Sequence, residues 1–235
     1  MELPNEPALI MKGEALSMLQ AKAAVEGCIF DFDGVVVDTE RFHYAAWDHA
    51  VHLVDIGLSW EEYLPLKSTS RPHILDFIQS KAGRLLSDDL RQQIIDAKVE
   101  KFDVLIRELS EKDIIPGVLT FIRQLVSRNI KLAVASSSTT AGAIAKDFGL
   151  NGYFDAIIDG NSSHPKKPAP DLFLAAAEAL HCPPERCVVF EDSLAGIEAA
   201  VNAGMYVVAV GGIRSDNAVA HIEDFQQIWE LFDEE

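Results

Sequence analysis

At 235 residues with 49% hydrophobic side chains, the chain can bury a complete core and fits one domain with an insertion, or two small domains. Its formal charge of −17 speaks against nucleic acid and anionic membrane as partners, so any phosphate must be met by a local basic pocket. Cys28, Cys182 and Cys187 have neither an even count nor metal-ligand spacing and read as reduced thiols of a cytoplasmic protein; no run reaches membrane-spanning length, and residues 1–12 lack the charged start and apolar core of a secretory signal.

In chain order, residues 1–23 read as an extension, with Leu16, Leu19 and Ala23 at helical spacing predicting a short amphipathic helix over 12–25. The stretch that organises the molecule follows, Cys28-Ile29-Phe30-Asp31-Phe32-Asp33-Gly34-Val35-Val36-Val37-Asp38-Thr39. An apolar run ending in two carboxylates one residue apart reads as a buried strand that delivers acid groups to its carboxyl end, and Gly34 lets the chain turn away. Side chains alternate along a strand, so Asp31 and Asp33 share a side and can converge on one cation or phosphate. Like charges that close resist joint ionisation; a bound metal or a retained proton is the expected relief, unless the pair merely caps a turn.

From Glu40 to about Glu111 the apolar residues fall three and four apart, predicting helices over 41–53, 70–81 and 88–109 and a small helical domain over 41–112. Beyond it, strands over 131–136, 154–159, 187–191 and 206–210 alternate with helices over 116–128, 140–148, 170–180 and 193–203. Such alternation means an α/β fold, a doubly wound parallel sheet covered on both faces. Residues 24–40 thus belong with 113–235, and the helical block is inserted after the first strand.

The later strand ends carry the remaining chemistry. Ser136-Ser137-Ser138 follows a strand and precedes a helix, where hydroxyls and free amides either cradle a phosphate or simply cap the helix. In Lys166-Lys167-Pro168-Ala169-Pro170-Asp171 the prolines hold a lysine in a rigid loop before a helix, suited to neutralising a phosphoryl oxygen, with Lys166 a competitor for the role and a solvated turn the alternative. Val189-Phe190-Glu191-Asp192-Ser193 ends a further strand in carboxylates, and Asp192 with Glu191 completes an oxygen-only set suited to Mg²⁺.

The order Asp-x-Asp-Gly, Ser, Lys-Lys-Pro, Glu-Asp resembles the haloacid dehalogenase superfamily of phosphotransferases from about residue 28 to the end. The resemblance implies a Rossmann-like core in which Asp31 is the nucleophile, Asp33 the general acid/base, Ser136 a phosphate donor flanked by Ser137 and Ser138, and Lys167 the neutralising lysine. It places Asp31, Asp33, Glu191 and Asp192 around Mg²⁺. An aspartate at position 33 resembles phosphatases and mutases, whereas the family's ion pumps carry threonine there.

Within that superfamily, Asp38-Thr39-Glu40-Arg41-Phe42-His43 with Trp47 is similar to the first cap segment of the β-phosphoglucomutase-like branch, whose histidine aligns the general acid/base. Leu66-Lys67-Ser68-Thr69-Ser70-Arg71 resembles that branch's cap loop, whose arginine holds the unreacting phosphate, and Lys98 falls where a further lysine meets the substrate. Each has a plain alternative: His43 and Trp47 as one packed helical face, Lys67 and Arg71 as a solvated loop, Lys98 as a helix-surface charge. Ser68 replaces a usual glycine, Thr140 an asparagine, and Val99 a polar residue. The resemblance implies a monomeric Mg²⁺-dependent phosphosugar mutase that converts β-glucose 1-phosphate to glucose 6-phosphate through an aspartyl phosphate and a bisphosphate. The alternative is a sugar-phosphate phosphatase.

Overall fold

The structure, a computed structural model, describes residues 25–67, 71–226 and 228. The extension over 1–23 and the helix expected over 12–25 lie outside the described residues, residue 25 apart. Strand β1 (Gly27–Phe30) leads into a helical segment made of α1 (Glu40–Val51), α2 (Trp60–Tyr63), α3 (Arg71–Ala82) and α4 (Asp88–Leu105). Then follow α5 (Val118–Ser127), β2 (Lys131–Ala135), α6 (Ala141–Asp147), β3 (Ala156–Ile158), α7 (Asp171–Leu180), β4 (Cys187–Glu191), α8 (Leu194–Asn202), β5 (Tyr206–Val210) and β6 (Ala220–Ile222). Contacts divide the chain into two units: the described residues up to Val37 together with those from Ile114 onward, and Asp38–Asp113.

Two elements are absent from the sequence reading. Helix α2 is a single turn, too short for periodicity to register, yet Ser59-x-x-Glu62 is a capping box: the Glu62 amide donates to Ser59 Oγ at 3.3 Å and the Ser59 amide to Glu62 Oε2 at 2.8 Å. Strand β6 has three residues, again too few for alternation to stand out. Two expected helices end early because their last turns tighten to 3₁₀ geometry, at His52–Val54 and Ile106–Glu108.

Among the described residues the six strands are all parallel, in the order β3-β2-β1-β4-β5-β6. The chain steps outward from β1 through β2 to β3, then returns to the other side of β1 with β4. The carboxyl ends of β1 and β4 therefore flank the point where winding reverses, the place where open α/β sheets bind ligands. The register sets Phe30 beside Phe190, and the Asp31 amide donates to the Phe190 carbonyl at 2.9 Å, so Asp31 arrives level with Glu191.

Alternation sends Phe30 and Ile29 to opposite faces. Phe30 stacks on Phe190 with ring centroids 4.8 Å apart and meets Phe121, Phe154 and Phe225 at 6.0–6.2 Å. Ile29 packs with Leu172, Phe173, Ala176 and Ile197 from α7 and α8. At about 1.5–3 kcal/mol per fully buried large apolar side chain, these layers hold the ends of β1 and β4 rigid beneath their carboxylates. The helical unit has its own core, including Trp47, Val51, Tyr63, Leu75, Ile78 and Ile94. Among the described residues, no helix is long and apolar enough to cross a membrane.

Candidate active site

Strand β1 stops at Phe30, so Asp31 begins a tight loop in which the Gly34 amide donates to the Val37 carbonyl at 2.8 Å. Gly34 has φ +80°, and a Cβ there would stand 2.1 Å from Asp192 Oδ2. Glycine is required twice over, by the left-handed backbone and by the approach of Asp192.

Lys167 reaches this loop end from the segment before α7. Its Nζ lies 2.5 Å from Asp31 Oδ1 and 2.8 Å from Glu191 Oε2, and 4.7 Å from the centroid of the Phe173 ring. The Lys167 and Asp31 side chains are only 7% and 10% exposed, which removes most of the solvent screening between them. Burial pulls the Lys167 ammonium down, but Asp31 and Glu191 outweigh it and hold the group above its ordinary range. Burial raises Asp31 well above the usual carboxylate range; Lys167 opposes the rise, and Glu191, Asp192 and Asp33 add to it. Lys166, the competing lysine, is exposed.

One oxygen each from Asp31, Glu191 and Asp192 lie within 4.8 Å of one another, all three residues buried. Hard oxygen donors carrying more negative charge than one lysine can offset fit a small divalent cation. Asp33 has its carboxylate elsewhere: Ser136 Oγ donates to Asp33 Oδ2 at 3.3 Å and accepts the Ser138 amide at 3.0 Å. The serine expected to meet phosphate is thus turned to the second aspartate. Ser138 and Thr140 share a hydroxyl hydrogen bond at 2.9 Å, and the Gly160 amide and Asn161 Nδ2 hold the Ser138 and Thr139 carbonyls, each at 2.8 Å.

The helical unit carries a second polar cluster. Lys98 is 8% exposed, so the surface-charge alternative is overturned: its Nζ lies 3.1 Å from His43 Nδ1, 4.3 Å from the Phe102 ring centroid and 5.9 Å from that of Trp47. His43 stacks on Phe102 at 4.2 Å. An ammonium can only donate, so Nδ1 must accept and the imidazole is neutral; burial first, then Lys98 and Lys67, lower its pKa to about 3. Glu40 Oε2 pairs with Lys67 Nζ at 3.2 Å, and Tyr63 donates its hydroxyl to Glu40 Oε1. Arg71 opens α3 and is exposed.

Residues 25–204 match the haloacid dehalogenase-like hydrolase family. The chain belongs to this family. It is 35% identical over 189 residues to the β-phosphoglucomutase of Bacillus subtilis, an alignment that covers 80% of this chain and 84% of that protein. It is 32% identical over 184 residues to the fructose-1-phosphate phosphatase YqaB of Escherichia coli, covering 78% and 95%. Among solved structures, the β-phosphoglucomutase of Clostridium difficile superposes with a TM-score of 0.76 at 32% identity, covering 87% of this chain and 93% of that one. The chain is therefore a haloacid dehalogenase-family enzyme of the phosphatase and mutase kind. Its relatives include enzymes named for each activity.

Ser193, Gly196, Phe173 and Glu40 are absent from the site as read from sequence. Ser193 and Glu40 stand inside segments that the sequence singled out, but neither segment discloses which charged group its residue serves.

Proposed function

We propose that the chain is a Mg²⁺-dependent phosphosugar mutase converting β-glucose 1-phosphate to glucose 6-phosphate. The observation that carries this reading is the buried Lys98 ammonium of the helical unit, standing over Phe102 and against His43, in addition to Lys167 of the sheet unit. A bisphosphate intermediate needs cations for two phosphates, whereas a simple phosphatase needs them for one.

In the proposed reaction, the 6-hydroxyl of β-glucose 1-phosphate attacks the phosphorus of phosphorylated Asp31; Asp33 takes the hydroxyl proton, the bond from Asp31 to phosphorus breaks, and a 1,6-bisphosphate forms. The bisphosphate reverses end for end and the freed Asp31 carboxylate attacks the phosphorus at position 1; the phosphorus–oxygen bond to the sugar breaks, Asp33 returns the proton to the departing oxygen, and glucose 6-phosphate leaves with Asp31 phosphorylated again. Lys167 stays on Asp31 throughout and offsets charge building on the transferring group. Asp31, Glu191 and Asp192 would hold Mg²⁺, which when bound screens the nucleophile from the phosphate it attacks. Lys67, Arg71, Lys98, His43 and Trp47 are assigned to the sugar and its second phosphate, and Ser137 and Ser138 to the substrate side of the sheet unit.

A sugar-phosphate phosphatase is the second reading, favoured by the likeness to the fructose-1-phosphate phosphatase over 95% of that protein. Incubation with β-glucose 1-phosphate and a trace of β-glucose 1,6-bisphosphate separates the two. Glucose 6-phosphate forming in large excess over free phosphate supports the mutase; release of phosphate from most of the substrate consumed overturns it.

A further inference from the structure

The first turn of α8 closes around Glu191, whose side chain is 1% exposed. Glu191 Oε1 accepts three hydrogen bonds, from the amides of Asp192 and Ser193 at 3.0 Å each and from Ser193 Oγ at 2.8 Å. Its other oxygen, Oε2, accepts Lys167 Nζ at 2.8 Å. Ser193 Oγ also accepts the Gly196 amide at 3.0 Å, which fixes the hydroxyl rotor: a lone pair faces Gly196 and the proton faces Glu191. A Cβ at Gly196 would stand 2.0 Å from Oε2, so the carboxylate lies directly against the helix backbone.

We propose that Ser193 is a positioning residue for phosphoryl transfer, acting through Glu191 to hold Lys167 on Asp31. The chain of contacts is short, Ser193 Oγ to Oε1, Oε2 to Nζ, Nζ to Asp31 Oδ1; Ser193, Glu191 and Asp31 are buried and the Lys167 side chain is only 7% exposed. A glutamate and a lysine side chain have many rotamers between them, and the ammonium stays on the nucleophile only if the far end of the glutamate is pinned. The amides of Asp192 and of the cap residue Ser193 hold Oε1 through the backbone; the Ser193 hydroxyl is the side-chain donor to Oε1, and by accepting the Gly196 amide it ties the carboxylate to the first turn of α8. Capping and positioning thus share one oxygen atom. The proposal rests on the phosphotransfer reading of the same site.

The experiment separates the two duties. Ser193→Gly deletes the hydroxyl at little cost to the helix cap, Ser193→Ala deletes hydroxyl and cap together, and Ser193→Thr keeps both. The Gly and Ala variants should lower kcat by the same factor, roughly 5- to 50-fold, on β-glucose 1-phosphate and on acetyl phosphate, with KM for the sugar phosphate within about twofold of wild type and Thr recovering most of the loss. A folded Ser193→Gly with kcat within about twofold of wild type overturns the proposal, as does a loss confined to KM or a Thr variant no better than Ala. Failure of the mutase reading has a different signature: wild-type protein leaves β-glucose 1-phosphate unconverted but hydrolyses acetyl phosphate, and the series is then read on acetyl phosphate. Independently of turnover, the Lys167 ammonium signal in ¹⁵N-lysine-labelled protein should be protected from exchange in the wild type and lost in Ser193→Gly. An unchanged signal also overturns the proposal.

Discussion

His43 should make the helical unit acid-sensitive at pH values where carboxylates are still ionised. Folding takes its pKa from the ordinary 6.5 to about 3, because the part-buried ring stacks on Phe102 away from solvent and its Nδ1 faces the Lys98 ammonium. Below the ordinary value the unfolded chain binds a proton that the folded chain refuses, so stability falls as pH drops from neutrality toward the folded value. Linkage puts the loss at about 0.8 kcal/mol at pH 6 and about 2 kcal/mol at pH 5, relative to pH 8. Urea unfolding followed by the fluorescence of Trp47 and Trp60, both in this unit, measures it in wild type and in His43→Gln. The variant loses whatever contacts the ring makes at every pH, but its stability should lack this component of the slope. Lys98→Met should keep part of the slope, since burial is the first cause of the shift and Lys98 the second. Parallel curves for wild type and His43→Gln, or a His43 ring that titrates near its ordinary value by NMR, would refute the reasoning.

Three further outcomes are expected. Asp31→Asn should abolish turnover with the fold intact, because an amide cannot attack phosphorus and the change removes one charge from a crowded acidic group; substantial residual activity removes Asp31 from the nucleophile role. Activity should vanish in excess chelator and return with Mg²⁺ but poorly with Ca²⁺, whose longer bonds and larger ligand number suit three converging carboxylates less well; full turnover in chelator sinks the metal assignment. Arg71→Ala should cut sugar-phosphate isomerisation by about 2–4 kcal/mol of transition-state stabilisation, roughly 30- to 1,000-fold, while sparing phosphate release from acetyl phosphate, which has no second phosphate to grip. Equal losses on both donors would make Arg71 a structural residue.

The alternation of apolar strands with helices, the acidic ends of β1 and β4 and the helical insertion between β1 and β2 were all legible in the sequence. Each is a local pattern: periods of two and 3.6 residues, a glycine after a strand, a carboxylate where an apolar run stops. Family membership was legible for the same reason, since its motifs are short segments at strand ends. Strand order was not, because the return from β3 to the far side of β1 depends on pairing between distant segments. Nor was the partner of each charged group. Lys98 occupies a helix position that could face solvent or core, and only the packing of α4 beside α1 brings it to His43, 55 positions away. Asp31 and Asp33 look equivalent as a pair, yet the loop at Gly34 leaves one against Lys167 and turns the other to Ser136, 103 positions on. A carboxylate's neighbours are set by the backbone turn and by which distant donor arrives beside it, and a one-dimensional pattern holds neither.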